Sequence, residues 1–371
     1  GQTILSGSLD KTVRFWKPGG MPFLTILRHE TEVTGLAVSP DGKRIVSGTS
    51  SGKLYLWEQK GALLHSLNAH AGKIQDITFS RNSEAFATAG GDGAVKIWDR
   101  NGKLVKVLVE AGVTASPQQT VAFAPQHDAN SPNGAYLVAG DNNGGNVILW
   151  DKNLDKVRTI PACKAIVGAV VFAPNSQTIA TGCGDPLVKL WDTNGKLLKV
   201  FKGHQGTVRD IAFSPDGTQF VSVSVDGTAK LWQPDGKLLI TFAQHKAPIS
   251  SVAYTNHARY TNDADDALIA SASTDRSVKL WRPDGTLMAT FNGHTGSVNK
   301  VEFGAGGRNV ISASTDHTVI VWDLNTVVHS DDVLKFGCEW IKGYLHNNSE
   351  LPEGDRTLCD AAVSPSTDIP Q

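Results

Sequence analysis

The chain has 371 residues, enough to bury a large core, and its 35 Lys and Arg balance 36 Asp and Glu. That balance excludes a general nucleic-acid or anionic-membrane binder, which would need a basic excess. No apolar run approaches the length of a membrane span, no secretory signal is read, and the four Cys contain no CxxC pair, which argues against a zinc knuckle. So few Cys in so long a chain are no disulfide scaffold and point to a reducing, cytoplasmic setting, with Cys183 read as a small core residue on a strand.

In chain order, residues 1–17 read as two strands ending at Trp16, cut from a repeat that starts before Gly1. Phe23 to Leu27 reads as a further strand. From there the same phrase, a polar turn followed by a short alternating strand ending in Trp, recurs at Trp57, Trp98, Trp150, Trp191, Trp232, Trp281 and Trp322. Counted from Trp16, the spacings are 41, 41, 52, 41, 41, 49 and 41 residues. The best-formed unit shows the internal plan. Leu197 to Phe201 is a strand, Gly203-His204 opens a loop, and Val208 to Phe213 is a second strand. Ser214-Pro215-Asp216-Gly217 turns the chain, Gln219 to Ser224 is a third strand, and Asp226-Gly227 leads into Ala229 to Trp232. Four strands of this length between Gly, Pro and Asp turns form an antiparallel meander, whose faces must be covered by the neighbouring repeats.

Three stretches break the period: Ala111 to Gln119, Gln126 to Gly134 and Thr255 to Ala267, all surface loops by composition. After Asp323 the pattern changes. Leu334, Cys338, Ile341 and Leu345 share one helical face, Ser330 stands at the cap position with Asp331 and Asp332 behind it, and Pro352 opens a second short helix. Residues 330–360 therefore read as a helical cap, in which Cys338 and Cys359 lie near each other, and residues 361–371 as a disordered tail.

A period near forty residues with Gly-His early and Trp-Asp late resembles the WD40 repeat. The resemblance runs from residue 1 to about residue 326, and the helical pair is similar to the C-terminal extension of multi-repeat WD40 proteins from cyanobacteria. It implies an all-β propeller over residues 21–326, with four-stranded blades lettered a to d outward from the axis. Seven blades are expected, closed by pairing Phe23 to Leu27 with the last repeat. The alternative is a ring of eight that takes in residues 1–17.

The resemblance also assigns buried polar residues. In the family a His, a Ser or Thr, an Asp and the Trp form a hydrogen-bond chain within each blade. Carried over, the sets are His204, Ser224, Asp226 and Trp232; His245, Ser273, Asp275 and Trp281; and His294, Ser314, Asp316 and Trp322. Each holds the ingredients of a catalytic triad, but a triad is expected once, at an open cleft, and not three times at one spacing. Other blades depart from the pattern. The Trp57 blade has His29 and Thr49 but Ser51 for the Asp, and the Trp98 blade has His70 and Asp92 but Gly90 for the hydroxyl. The Trp191 blade has Cys183 and Asp185 and no His, while the Trp150 blade has no member of the set and is expected to exchange its amides fastest. Gly48-Thr49-Ser50-Ser51-Gly52 matches GxSxG but lies in a strand–turn–strand, not at a nucleophile elbow. The acidic run Asn262 to Asp266 lacks the Gly and distal Glu of an EF-hand loop. No metal, cofactor or catalytic residue is expected.

In WD40 relatives, partners touch residues near the start of strand a and the residue before the turn Asp. The first group carries over to Thr34, Gln75, Arg209, Ser250 and Asn299, and the second to Ser50, Gly91, Val225, Thr274 and Thr315. The expected function is a non-catalytic scaffold or ligand sensor that binds a protein or peptide, not nucleic acid or membrane. It is read as part of a larger bacterial signalling protein with an effector domain upstream. A rigid spacer and, less favoured, a propeller hydrolase are the alternatives.

Overall fold

The computed structural model describes residues 4–7, 13–16, 23–59, 61–109, 118–125, 135–255 and 267–324. Two of the loop insertions lie wholly or largely outside these residues, as do most of Ala111 to Gln119, the C-terminal helical pair with Cys338 and Cys359, and the tail. Contacts divide the chain into two units, one of residues 23–324 and one of residues 1–22 with 325–371. In the second unit, β1 (Ile4–Gly7) and β2 (Val13–Trp16) pair as an antiparallel hairpin.

The first unit is built of seven four-stranded antiparallel sheets. It begins with β3 (Phe23–Arg28). Blade one is β4 (Val33–Val38), β5 (Arg44–Thr49), β6 (Lys53–Glu58) and β7 (Leu63–Asn68). Blade two is β8 (Ile74–Phe79), β9 (Ala85–Gly90), β10 (Val95–Asp99) and β11 (Leu104–Val109). Blade three is β12 (Gln118–Phe123), β13 (Ala135–Asp141), β14 (Asn146–Asp151) and β15 (Lys156–Pro161). Blade four is β16 (Val167–Phe172), β17 (Thr178–Cys183), β18 (Leu187–Asp192) and β19 (Leu197–Lys202). Blade five is β20 (Val208–Phe213), β21 (Phe220–Ser224), β22 (Ala229–Trp232) and β23 (Leu238–Phe242). Blade six is β24 (Ile249–Thr255), β25 (Leu268–Ser273), β26 (Ser277–Trp281) and β27 (Leu287–Asn292). Blade seven takes β28 (Val298–Phe303), β29 (Asn309–Ser314) and β30 (Thr318–Asp323), and completes its sheet with β3.

The innermost strands β4, β8, β12, β16, β20, β24 and β28 each lie against the next, and β28 returns to β4. The ring is shut by β3, whose Ile26 pairs with Ile320 and Leu27 with Val319. Seven blades close in this way, and the eight-bladed alternative is excluded: the first strand of the unit satisfies the open edge of the last sheet, which would otherwise be a free template for pairing.

The core lies between blades. Val46, Leu54 and Leu56 of blade one pack with Ile74, Phe79, Phe86 and Trp98 of blade two, and Ala180, Val188 and Leu190 of blade four with Val208, Ile211, Phe220 and Trp232 of blade five. The second strand of a blade is covered on both faces by its neighbours, and β21, β25 and most of β5, β9 and β17 are buried throughout. These strands accordingly use small and β-branched residues on both sides. The outermost strands β7, β15 and β19 alternate little and lie mostly in solvent. The Ser-Pro-Asp-Gly turns fold as their composition requires. Ser214 Oγ donates to Asp216 at 2.6 Å, and Gly217 adopts φ +73°, a left-handed conformation that Gly enters without penalty.

Candidate interaction face and the polar networks beneath it

Each blade pairs its first two strands with one extra residue on the inner strand. In blade one Val33 pairs with Thr49 and Gly35 with Gly48, so Thr34 is passed over. The same skip passes over Gln75, Gln119, Gly168, Arg209, Ser250 and Asn299 in the other six. A bulge of this kind re-aims the side chain of the extra residue. Here, among the residues whose side chains are described, all six bulge residues line one cavity of about 350 Å³ at a mouth of the ring. Thr34, Gln75, Arg209, Ser250 and Asn299 are five of them; Gly168 is the sixth and was not singled out in the sequence, because a Gly near the start of strand a offers no side chain to recognise. Of the second group, Val225 and Thr274 line the same cavity. Ser50, Gly91 and Thr315 do not, although all five hold the same backbone position. Their N–H groups donate to the carbonyls of Glu32, Lys73, Thr207, Pro248 and Ser297, just ahead of the inner strands.

Polar contacts tie the inner strands together. Thr34 Oγ1 donates to Ile74 O at 2.6 Å, and Asn299 Nδ2 to Val33 O at 2.7 Å, across blade boundaries. Asp76 accepts from Thr120 Oγ1 and the Val121 N–H, and Asp210 from Ser251 Oγ and the Val252 N–H, in each case from the following blade. Lys300 crosses the axis to Asp76 at 2.9 Å and approaches Asp210 at 4.0 Å. Burial works against the Lys300 charge, but the two carboxylates hold its ammonium above the ordinary lysine range. Further along the channel, Glu302 lines a second cavity of about 360 Å³ with Tyr254 and Gly304. Burial, helped by Asp210 and Asp76 and opposed by Lys300, pushes its carboxyl up to about 8. A carboxyl raised in the fold contributes stability below its unfolded value of 4.5, which is lost as pH rises through 8. Glu302→Gln cannot ionise. Relative to the parent, its unfolding free energy from urea titration is expected to improve between pH 5 and pH 9 by about 2 kcal/mol, less than a fully enclosed carboxyl would give. Parallel pH profiles for the two proteins would disprove this.

The hydrogen-bond chains of the blades run through a different hydroxyl from the one expected. His204 Nε2 lies 2.8 Å from Ser222 Oγ, and Trp232 Nε1 donates to the same oxygen at 2.8 Å. The equivalents are Ser271 between His245 and Trp281, and Ser312 between His294 and Trp322. Ser224, Ser273 and Ser314 are instead turn residues: each accepts from the N–H of the Asp two places on, and Ser224 also donates to Gly206 O. The register explains the correction. Phe220 faces Trp232, so Ser222 is the diagonal neighbour an indole can reach, and Ser224 lies one pair further away. A Ser or Thr ten residues before the Trp is the signal that would have found it.

The aspartates act as read. His204, His245 and His294 lie 2.8–2.9 Å through Nδ1 from Asp226, Asp275 and Asp316. A proton on Nδ1 serves the carboxylate, leaving Nε2 to accept from the Ser hydroxyl. Burial opposes the Asp226 charge, but hydrogen bonds from Thr228, the Gln205 N–H and His204 hold it down at about 2. Burial likewise keeps the His204 imidazole below its usual range in spite of Asp226.

The same register revises the departures. The Trp98 blade is complete, with Thr88 between His70 and Trp98 and Asp92 2.9 Å from His70. Gly90 stands where a Cβ would strike the His70 ring, so its lack of a side chain makes room for the network. In the Trp57 blade Ser47, not Thr49, joins His29 and Trp57, and with Ser51 in the Asp place His29 Nδ1 is buried without a partner among the described residues. Burial drives that imidazole down to about 4. A neutral His in the fold adds stability above the unfolded value of 6.5, lost as pH falls toward 4. Ser51→Asp supplies the missing acceptor. It is expected to stabilise the ring by about 1 kcal/mol and to raise the His29 titration seen by NMR. An unchanged His29 titration would show that the carboxylate does not reach the ring.

In blade four, Trp191 Nε1 donates to Thr181 at 3.0 Å, and the place of the His is held by Cys163. The backbone shows the equivalence: Ala69 and His70 N–H both donate to Gly52 O, and Ala162 and Cys163 N–H both donate to Gly145 O. Cys163 is bonded to Cys183, so Cys183 is not a plain core residue but half of a disulfide. The bond joins the loop before the inner strand to the end of β17, a place where blades two, five, six and seven use His and Asp. Asp185 is left 3.7 Å from Lys189, with Oδ1 buried and without a hydrogen-bond partner among the described residues. In blade three Ala139 pairs beside Leu137 and Trp150 where other blades carry the hydroxyl, and Asp141 is taken up by its own turn through Gly144 and Asn146.

No helix among the described residues is long and apolar enough to cross a membrane. No curated protein matches the chain. The family model for the WD domain, G-beta repeat, matches residues 1–17, 20–58, 61–99, 154–192, 195–233, 236–282 and 285–323. It passes over residues 100–153, the stretch that contains Trp150 and lacks the blade network. With seven matches over well more than half its length and seven blades closed by β3, the chain belongs to the WD40 family.

Proposed function

We propose that the ring is a non-catalytic interaction module that holds a protein or peptide partner at the mouth where the bulge residues converge. WD40 propellers generally mediate protein–protein interaction. The observation that carries the reading for this chain is the convergence of Thr34, Gln75, Arg209, Ser250 and Asn299, from five different blades, on one polar cavity. A site assembled from one residue per blade recognises shape and hydrogen bonding over a broad face, and rigid inner strands pre-organise it. The finer reading is a cytoplasmic role within a larger bacterial signalling or regulatory protein. Its test is the intact mass of the protein from its source against the 39.5 kDa of this chain.

For the interaction itself, the parent chain and a Gln75→Ala/Arg209→Ala/Asn299→Ala variant serve as bait in the same source extract. Partners held by the parent and lost by the variant support the mouth; identical recovery by both points to the rigid spacer. The second reading, a propeller hydrolase, has in its favour only the repeated His, Asp and hydroxyl sets, and these sit inside blades with every member spoken for. Turnover in a broad hydrolase panel that survives purification would revive it.

A further inference from the structure

The charges at the mouth name a class of partner. Lys73 stands immediately before β8, Arg209 is the bulge residue of β20, and both line the cavity. Both side chains are exposed, and among the described residues neither makes an ion pair or a side-chain hydrogen bond. Gln75 and Ser250 beside them likewise keep their side-chain polar groups unspent among the described residues. Lys300 is the third cation of the lining, already matched by Asp76. Among the described residues the lining contains no carboxylate and no aromatic ring. Lys73 is exposed yet crowded by the protein around it: desolvation lowers its ammonium most, Glu32 opposes this next, and Arg209 and Lys300 lower it further. Positive charge is thus gathered at one mouth of a chain whose net charge is −1.

We infer that the mouth takes an acidic peptide segment, with a side-chain carboxylate of the partner held by Lys73 and Arg209. This rests on the reading of the mouth as the partner site. A guanidinium and an ammonium free of internal partners lose little when they meet a carboxylate, and charge-assisted bonds are the stronger kind. Gln75 and Ser250 offer donors and acceptors to the backbone of an extended segment. The missing aromatic surface argues against single-stranded nucleic acid, which needs rings for its bases to stack on. The cavity is also at the small end of ligand sites, sized for one or two side chains.

The test is fluorescence anisotropy on the full chain with three labelled probes: a ten-residue Glu-Gly repeat peptide, its Lys-Gly counterpart, and a ten-nucleotide oligothymidylate. The proteins are the parent, Lys73→Glu/Arg209→Glu, and the remote control Lys43→Glu/Lys237→Glu, each first shown to unfold at the parent's midpoint. The expected result is saturable binding of the Glu-Gly peptide to parent and control, weakened by salt, and at least tenfold weaker binding to Lys73→Glu/Arg209→Glu. No saturable binding of that peptide to the parent, equal binding by the mouth variant, or equally tight binding of the oligothymidylate would each overturn the inference. If extract partners still depend on Gln75, Arg209 and Asn299 while the acidic peptide fails, the mouth remains the partner site and only its charge preference falls.

Discussion

Reducing the Cys163–Cys183 bond is expected to lower the stability of the ring by about 3 kcal/mol, the loop-closure value for a loop of this length. The two cysteines are 20 residues apart in sequence, and the bond is the link that blade four has in place of the His–Asp pair of blades two, five, six and seven. Opening it frees the loop between β15 and β16 and leaves Asp185 still without a second partner. The measurement is urea unfolding with and without dithiothreitol, for the parent and for Cys163→Ala/Cys183→Ala. The double variant keeps Cys338 and Cys359, so an effect present in the parent and absent in the variant belongs to this bond. Equal midpoints for the parent in both conditions would show that the disulfide contributes nothing. The expectation runs against the reducing compartment read from the small number of cysteines, because a bond worth this much is useful only where it persists.

Ser222→Ala is expected to cost about 3 kcal/mol, against about 1 kcal/mol for Ser224→Ala. Both residues are fully buried and both hydroxyls are used. They differ in what is stranded when the hydroxyl goes. Without Ser222, the Trp232 N–H and His204 Nε2 both lose their partner inside blade five, and two buried groups are left unpaired. Without Ser224, the Asp226 N–H and the Gly206 carbonyl are left at a turn that water can approach. A second readout separates the two variants. The indole N–H resonance of Trp232 should shift in Ser222→Ala and stay in place in Ser224→Ala. If Ser224→Ala is the costlier change, the hub of the network has been misplaced.

Much of this protein is legible in its sequence, because its information is local and repeated. A Trp every forty residues or so, Gly-His before the inner strand, and Ser-Pro-Asp-Gly turns such as Ser214 to Gly217 act within one hairpin or one turn. Repetition lets each instance check the others. The blade count came partly from the same source, through Phe23 to Leu27 reading as an orphan strand. The choice between seven and eight needed the pairing of β3 with β30, a contact between residues some three hundred positions apart that no local pattern encodes.

The misreadings share one cause. Ser224 was carried over from the family pattern, whereas the indole of Trp232 selects Ser222 across a strand pair whose register is a property of the folded hairpin. Cys163 and Cys183 carried no spacing signal. Only when Cys163 falls on the backbone position of His70 does it become clear that blade four has exchanged a hydrogen-bonded pair for a covalent one. The mouth is the extreme case. Composition showed a chain with no excess of either charge, and that remains true of the whole. Lys73 and Arg209 are gathered there because ring closure brings the starts of the inner strands to one opening, where Arg209 is the bulge residue of its strand and Lys73 stands just ahead of its own. Composition sums charge over the chain; closure decides where it is concentrated.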